Sequence, residues 1–151
     1  MRRKEKQIRD QSEVDTIIKE SRVCRLAMVD GNKPYVVPLN FGYEFPYLYF
    51  HSAGEGRKLD VIRKNSQVCF EFDHLEKLIK DTDACEWGAA FKSVIGEGEA
   101  VLVTDLETKE KAMHCIMAQY SSRSFEFPKE SLERTAVIQV KISEMIGKKS
   151  G

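Results

Sequence analysis

The 151-residue sequence contains no apolar run near the ~20 residues that a membrane-spanning helix requires. Its opening, MRRKEKQIRD, carries charge with no apolar stretch behind it and does not read as a secretion signal. A cytoplasmic protein without a membrane partner is expected. An excess of one charge is also missing. With 24 basic and 24 acidic residues the chain has no global field to draw it to nucleic acid, so any anion site must be local. Cysteine is sparse and scattered: Cys24, Cys69, Cys85 and Cys115 form no C-x-x-C pair. His51, His74 and His114 form no H-x₃₋₅-H pattern, so no metal site is expected. Three of the cysteines lie in apolar settings (RVCRLAMV, QVCFEF, MHCIM), where a thiol packs as a small core residue. The Walker pattern G-x-x-x-x-G-K-[ST] is absent, which disfavours a nucleoside triphosphate site.

The residues that are present suit one domain, with 42% hydrophobic and 32% charged composition over a length sufficient for a single core. The reading is one domain over 1–151, with the basic ends 1–10 and 147–151 as solvated tails. Ser12-Glu13-Val14-Asp15 has the form of a helix start, and Val14, Ile17 and Ile18 give that helix one apolar side. From Arg22 the period becomes two, through Cys24, Leu26 and Met28, until Asp30-Gly31-Asn32 signals a turn. Residues 35–41 form the return strand, and Pro38, which cannot donate to a ladder, puts it at a sheet edge or a bulge. Further strands are expected over 47–51, 67–73, 89–103 (bent at Gly96 and Gly98) and 136–142, and helices over 56–64 and after Thr104. Six strands with short turns and a few peripheral helices predict a mostly β fold, a small antiparallel barrel. Because such a barrel fills its own interior, a cofactor must sit outside it or between two barrels.

One junction stands out. In YFHSAGEGRKLDVIRKN, residues 49–65, a strand ends at His51 and Ser52, two glycines follow, and a helix opens on Arg57 and Lys58. Glycines can adopt positive φ or let a ligand approach the backbone, and a helix start offers free amides, a favourable dipole and here two cations. This is the chemistry of a phosphate seat. It is also the chemistry of an ordinary charged turn, and residue types alone leave both readings open.

The ordered blocks Y-V-V-P-L-N-F (35–41), L-Y-F-H-S-A-x-E-G-R-K-L-D (48–60), N-S-Q-V-C-F-E (65–71), A-C-E-W-G (84–88) and S-V-I-G-E-G (93–98) resemble the pyridoxamine 5'-phosphate oxidase-like flavoproteins. Within that superfamily they are most similar to the nitroimidazole-resistance branch. The resemblance implies a six-stranded split β-barrel, a homodimer, and FMN in the grooves between subunits. It implies that Val37, Pro38, Leu39 and Asn40 lie along the flavin ring and that Phe50, His51 and Ser52 line the ring and ribityl chain. Arg57 and Lys58 match the pair that holds the phosphate, and Trp87, Ser93 and Val94 match a contribution often made by the partner subunit. His51 matches a position associated with the substrate, and imidazole chemistry suits proton donation near neutral pH. The implied function is an FMN-dependent oxidoreductase reducing a small electron-poor molecule such as a nitroimidazole; the alternative is a flavin- or haem-binding protein without turnover. The chain ends ISEMIGKKSG, without the Arg/His segment that grips substrate phosphate in the vitamin B6 oxidases, so pyridoxamine phosphate oxidation is not expected.

Overall fold

The structure is a computed structural model describing residues 4–151. Six long strands carry it: β2 (Cys24–Asp30), β3 (Lys33–Leu39), β5 (Tyr47–Ser52), β6 (Gln67–Ile79), β7 (Gly88–Val103) and β8 (Ala136–Ser150). These are the six expected from sequence. Among the described residues two short strands bring the total to eight rather than six: β1 (Gln7–Ile8) and β4 (Gly42–Glu44), pieces too brief to show a periodicity. All pairings are antiparallel, and the sheet runs β3-β2-β6-β7-β8-β5-β4, with β1 added to the end of β8. Pro38 therefore does lie on an edge strand. The expected bend in β7 is a register shift against β8 between Glu97 and Gly98.

Among the described residues no ladder joins β3 to β4 or β5, and this is the split in the barrel. The chain itself crosses it, since only Asn40 and Phe41 separate β3 from β4. Phe41 is fully buried and packs at a tilt against Phe72 with ring centroids 4.8 Å apart. Its amide donates to Tyr120 Oη at 3.0 Å, and that hydroxyl donates to the Arg22 carbonyl at 3.0 Å. Tyr120 ends helix α3 (Leu106–Tyr120), which covers the outer face of β4 and β5 with Ala112 and Ile116 against Tyr49 and Val137. The main core, including Leu26, Phe50, Phe70, Phe72, Val94 and Ile138, fills the barrel interior. Helix α1 (Gln11–Glu20) closes one end with Val14, Ile17 and Ile18, and helix α2 (Arg57–Lys64) contributes Leu59, Val61 and Ile62.

Several boundaries differ from expectation for local reasons. The α1 cap is Asp10, accepting from the Ser12 amide at 3.0 Å, and the α3 cap is Asp105, accepting from Thr108 at 2.8 Å. A short helix α4 (Lys129–Arg134), not expected from sequence, precedes β8. The supposed tails are partly strand. Residues 147–150 continue β8, and Gly147 is buried beneath Ile8 and Val14, where any Cβ would meet both at 2.9 Å. At the other end, Gln7 and Ile8 pair with Lys148 and Gly147, while residues 1–3 lie outside the described residues. Lys149 shares the face of Gly147, toward α1, where its Nζ pairs with Glu13 at 2.8 Å, so a basic segment can still serve as a strand. Among the described residues no helix is long and apolar enough to cross a membrane.

Close packing makes one position decisive. A Cβ on Gly42 would lie 2.6 Å from Ile116 N and 2.7 Å from the Cys115 carbonyl carbon, both backbone atoms of α3 that cannot rotate away. Gly42→Ala should lower stability by ~1–3 kcal/mol, measured as an earlier denaturation midpoint at constant m-value. An unchanged midpoint would mean that α3 does not bear on the split as described.

Candidate functional site

The strand-to-helix junction is built by one backbone conformation. Gly56 has φ +140°, a region that L side chains rarely adopt, and it caps α2 without any side-chain hydrogen bond. Its carbonyl already accepts from the Leu59 and Asp60 amides, which leaves the Arg57 and Lys58 amides at the open end of the helix. Gly54 does not have positive φ; it lies close to α4 instead, where a Cβ would come 3.4 Å from the Arg134 carbonyl.

Arg57 is held from two sides. Its Nε donates to Asp30 Oδ2 at 3.0 Å, and its guanidinium carbon sits 4.3 Å from the centroid of the Tyr35 ring. Both contacts come from the β2–β3 hairpin, 22 to 27 residues upstream by number, and no sequence motif signals them. The Nη groups make no hydrogen bond among the described residues and remain available as a fork for an oxyanion. Lys58 is half-buried beside it with no ion pair among the described residues.

The expected site residues fall into two groups that one chain does not bring together. The first comprises the edge strand β3, the end of β5 and the start of α2. Along β3, Val37 and Leu39 are partly buried against the core, whereas Pro38 and Asn40 are exposed. Ser52 is half-buried at the end of β5 and pairs with Ala136. His51 is exposed, on the Tyr49 face of β5, opposite to that of Ser52, and makes no hydrogen bond among the described residues. The second group lies on β7 and at the residue just before it. Ser93 is half-buried and pairs with Asp73 and Lys148; Trp87 is 51% exposed, its indole donating to the Asp81 carbonyl at 2.6 Å.

The separation follows from register. Across the sheet, β2 and β6 intervene between β3 and β7, a spacing of ~14 Å at ~4.8 Å per strand. The salt-bridged cluster of Arg25, Glu71 and Asp73 occupies the outer face of those strands, and partial burial holds the Glu71 carboxyl above the usual carboxylate range despite Arg25. Along β8, the partners of Ser52 and Ser93 are twelve residues apart, up to ~40 Å before the bend.

Two expected contacts change character. Phe50 and Val94 are 0% exposed in the barrel core, so their side chains face the interior and cannot line an external groove. At these positions only the main chain can meet a ligand. The cysteines also differ from a uniform core role: Cys24 is buried, Cys69 and Cys115 are half-buried, and Cys85 is exposed. Burial pushes the Cys24 thiol well above its ordinary range and Cys115 up to about 11, which keeps both protonated and unreactive at neutral pH.

What sequence reading missed is the reach of the β6–β7 hairpin. Both strands run past the barrel as an arm carrying Leu75, Leu78, Ile79 and Trp87 in the open, 41–61% exposed. On the neighbouring face Ile95 and Ile146 pair with each other across β7 and β8 and are also exposed, beside a concavity of about 270 Å³ that includes Ser93 and Met145.

Comparison with known proteins gives a consistent result. No curated protein matches the chain. A crystal structure of a candidate 5-nitroimidazole antibiotic resistance protein from Bacteroides thetaiotaomicron superposes with a TM-score of 0.86 at 31% identity, covering 94% of this chain and 85% of the other. The flavocytochrome Anf3 from Azotobacter vinelandii shares the fold at TM-score 0.87 and 22% identity, over 100% and 72% of the two chains. An FAD and haem binding protein from Mycobacterium smegmatis does so at TM-score 0.86 and 14% identity, over 96% and 73%. The family profile described as pyridoxamine 5'-phosphate oxidase matches residues 10–149, nearly the whole chain, and the protein belongs to that family.

Proposed function

We propose that the protein is an FMN-binding oxidoreductase that reduces a small electron-poor substrate, with a nitroimidazole-like nitro compound as the template. The observation that carries the phosphate assignment is the junction at Gly56. Its positive φ opens a helix with no side-chain cap, Asp30 and Tyr35 hold Arg57 with its Nη groups free among the described residues, and Lys58 stands beside it. This donor set fits a phosphate monoester. Ser52 would meet the ribityl chain, while Val37, Pro38, Leu39 and Asn40 would offer the edge of β3 to the ring. The bound flavin would supply the redox chemistry; the chain supplies position, a water-poor wall and a proton source. His51, exposed and without an internal partner among the described residues, is the group proposed to give a proton from its ring to a substrate oxygen. The 31% identity to the nitroimidazole-resistance relative supports the choice of template substrate. Flavin bands in the absorbance of the purified or reconstituted protein, followed by turnover of nitro compounds with a reduced nicotinamide donor, test this reading. Protein that stays colourless and cannot be reconstituted with FMN would overturn it.

The working unit is proposed to be a homodimer with FMN between subunits. Two features support it: the separation of the β3 and β7 groups, and the exposed apolar arm with Ile95 and Ile146, an area that a lone soluble chain would leave against water. Charge placed in that face should prevent assembly. Ile95→Glu is expected to shift the sedimenting species from two chains to one and to weaken FMN binding without unfolding the barrel. A variant that remains dimeric would exclude this face from the interface.

A further inference from the structure

The glycine turn before α2 has a second wall. Behind it lies a cavity of about 430 Å³, bounded by Gly54 of the turn, the last turn of α2, the start of α3 and the end of α4. Three cations from three helices line it: Arg63, Lys109 and Arg134. The one carboxylate in the lining, Glu133, has Lys129 at 3.8 Å. In a chain with equal numbers of basic and acidic residues, three cations to one carboxylate is a local departure. Lys109 is the informative member. It is only 8% exposed, and its Nζ donates to the Leu132 carbonyl at 3.1 Å and the Thr135 carbonyl at 2.8 Å. An ammonium has three donors, and no carboxylate pairs with this one among the described residues. A buried charge in that state gains from an anion. Arg134 uses only Nε, donating to the Glu130 carbonyl at 3.2 Å, so its Nη groups are free among the described residues; Arg63 commits one Nη1 contact to Asp60 at 2.9 Å.

We propose that this cavity is a second subsite for a phosphoryl anion, beside the seat proposed for the flavin phosphate and sharing Gly54 as a wall. The chemistry fits two sources: the adenylate-bearing phosphate of a dinucleotide flavin, or the phosphate of a separate small molecule that binds next to the flavin. The subsite stands on its own residues and does not require the flavin assignment.

Calorimetric titration of the FMN-loaded protein with inorganic pyrophosphate tests it, because FMN then fills the junction. If the protein takes up no flavin, the same titration is run on the protein as purified. The wild type is expected to bind pyrophosphate, and the Arg63→Ala/Arg134→Ala double variant at least tenfold more weakly, with an unchanged unfolding midpoint. Lys109 is left intact because it holds α4. No binding by the wild type at millimolar pyrophosphate, or equal affinity in the double variant, would overturn the proposal. The source follows from two further titrations. If the double variant loses FAD affinity tenfold and keeps its FMN affinity, the anion belongs to a dinucleotide flavin. If both flavins are unaffected while pyrophosphate binding is lost, it belongs to a separate ligand. Sensitive pyrophosphate binding in a protein that takes up neither flavin would sustain the subsite and sink the flavin reading.

Discussion

Replacing Arg57 and Lys58 together with alanine should weaken FMN binding by ~10²–10⁴-fold and leave riboflavin binding nearly unchanged. Each charge-assisted hydrogen bond to the phosphate contributes ~1.5–3 kcal/mol, or about ten- to hundredfold in the dissociation constant, and two such contacts are removed. The fold should survive. The Arg57–Asp30 pair is open to solvent, with side chains 55% and 32% accessible, and surface pairs of that kind contribute ~0–1 kcal/mol. Lys58 alone should give the smaller share of the effect, because it lacks the orienting contacts that Asp30 and Tyr35 give Arg57. Parallel titrations with FMN and riboflavin separate phosphate recognition from ring packing. Equal weakening of both ligands would show that the junction holds no phosphate.

His51→Ala should lower reductase turnover by ~10²-fold while FMN affinity falls far less. The residue sits at the end of β5, one position before the half-buried Ser52, yet on the other face and open to solvent. A structural histidine would be hydrogen-bonded, as His74 is, its Nε2 lying 2.9 Å from Ser21 Oγ and 3.0 Å from the Ile17 carbonyl. His51 has no such partner among the described residues, so the fold gives no reason for an imidazole there. Steady-state kinetics and flavin titration on the same preparation decide the matter. Losing flavin and activity in equal measure would make His51 a packing residue, and unchanged turnover would remove it from the reaction.

How far the sequence could be read depended on the range of the interaction. Period-two alternation located β2, β6 and β8, and apolar runs bounded by turn residues located the other three long strands. Pro38 marked the edge strand through its missing amide, and Gly96-x-Gly98 marked the shift in register. Strands β1 and β4 exist because a neighbour's free edge recruits two or three residues, which leaves no pattern in those residues themselves. The end of β8 was hidden by its lysines, which find Glu13 of α1 and the Phe91 ring only in the fold, while Gly147 packs beneath Ile8 and Val14. The arm was hidden for the opposite reason: in HLEKLIK the apolar residues lie in the open and follow no buried face.

The candidate site shows the same division. The junction was legible because its glycines and cations are adjacent in sequence. The clamp on Arg57 was not, because Asp30 and Tyr35 reach it only after the β2–β3 hairpin has packed beside α2. Sequence blocks also could not tell a side chain that faces a ligand from one that faces the core, which is why Phe50 and Val94 were grouped with groove residues. Nor could they show that the β3 and β7 blocks lie apart in one chain, the feature that underlies the proposed dimer.

Sedimentation velocity of the FMN-reconstituted protein, followed at the flavin's visible band, is the decisive measurement for a flavin site shared between subunits. Flavin absorbance should travel with a species of two chains, near one flavin per chain, and dissociate when the dimer is diluted apart. Flavin travelling with a single chain at undiminished affinity would contradict a site shared between subunits, and protein sedimenting without flavin would contradict the flavin site itself.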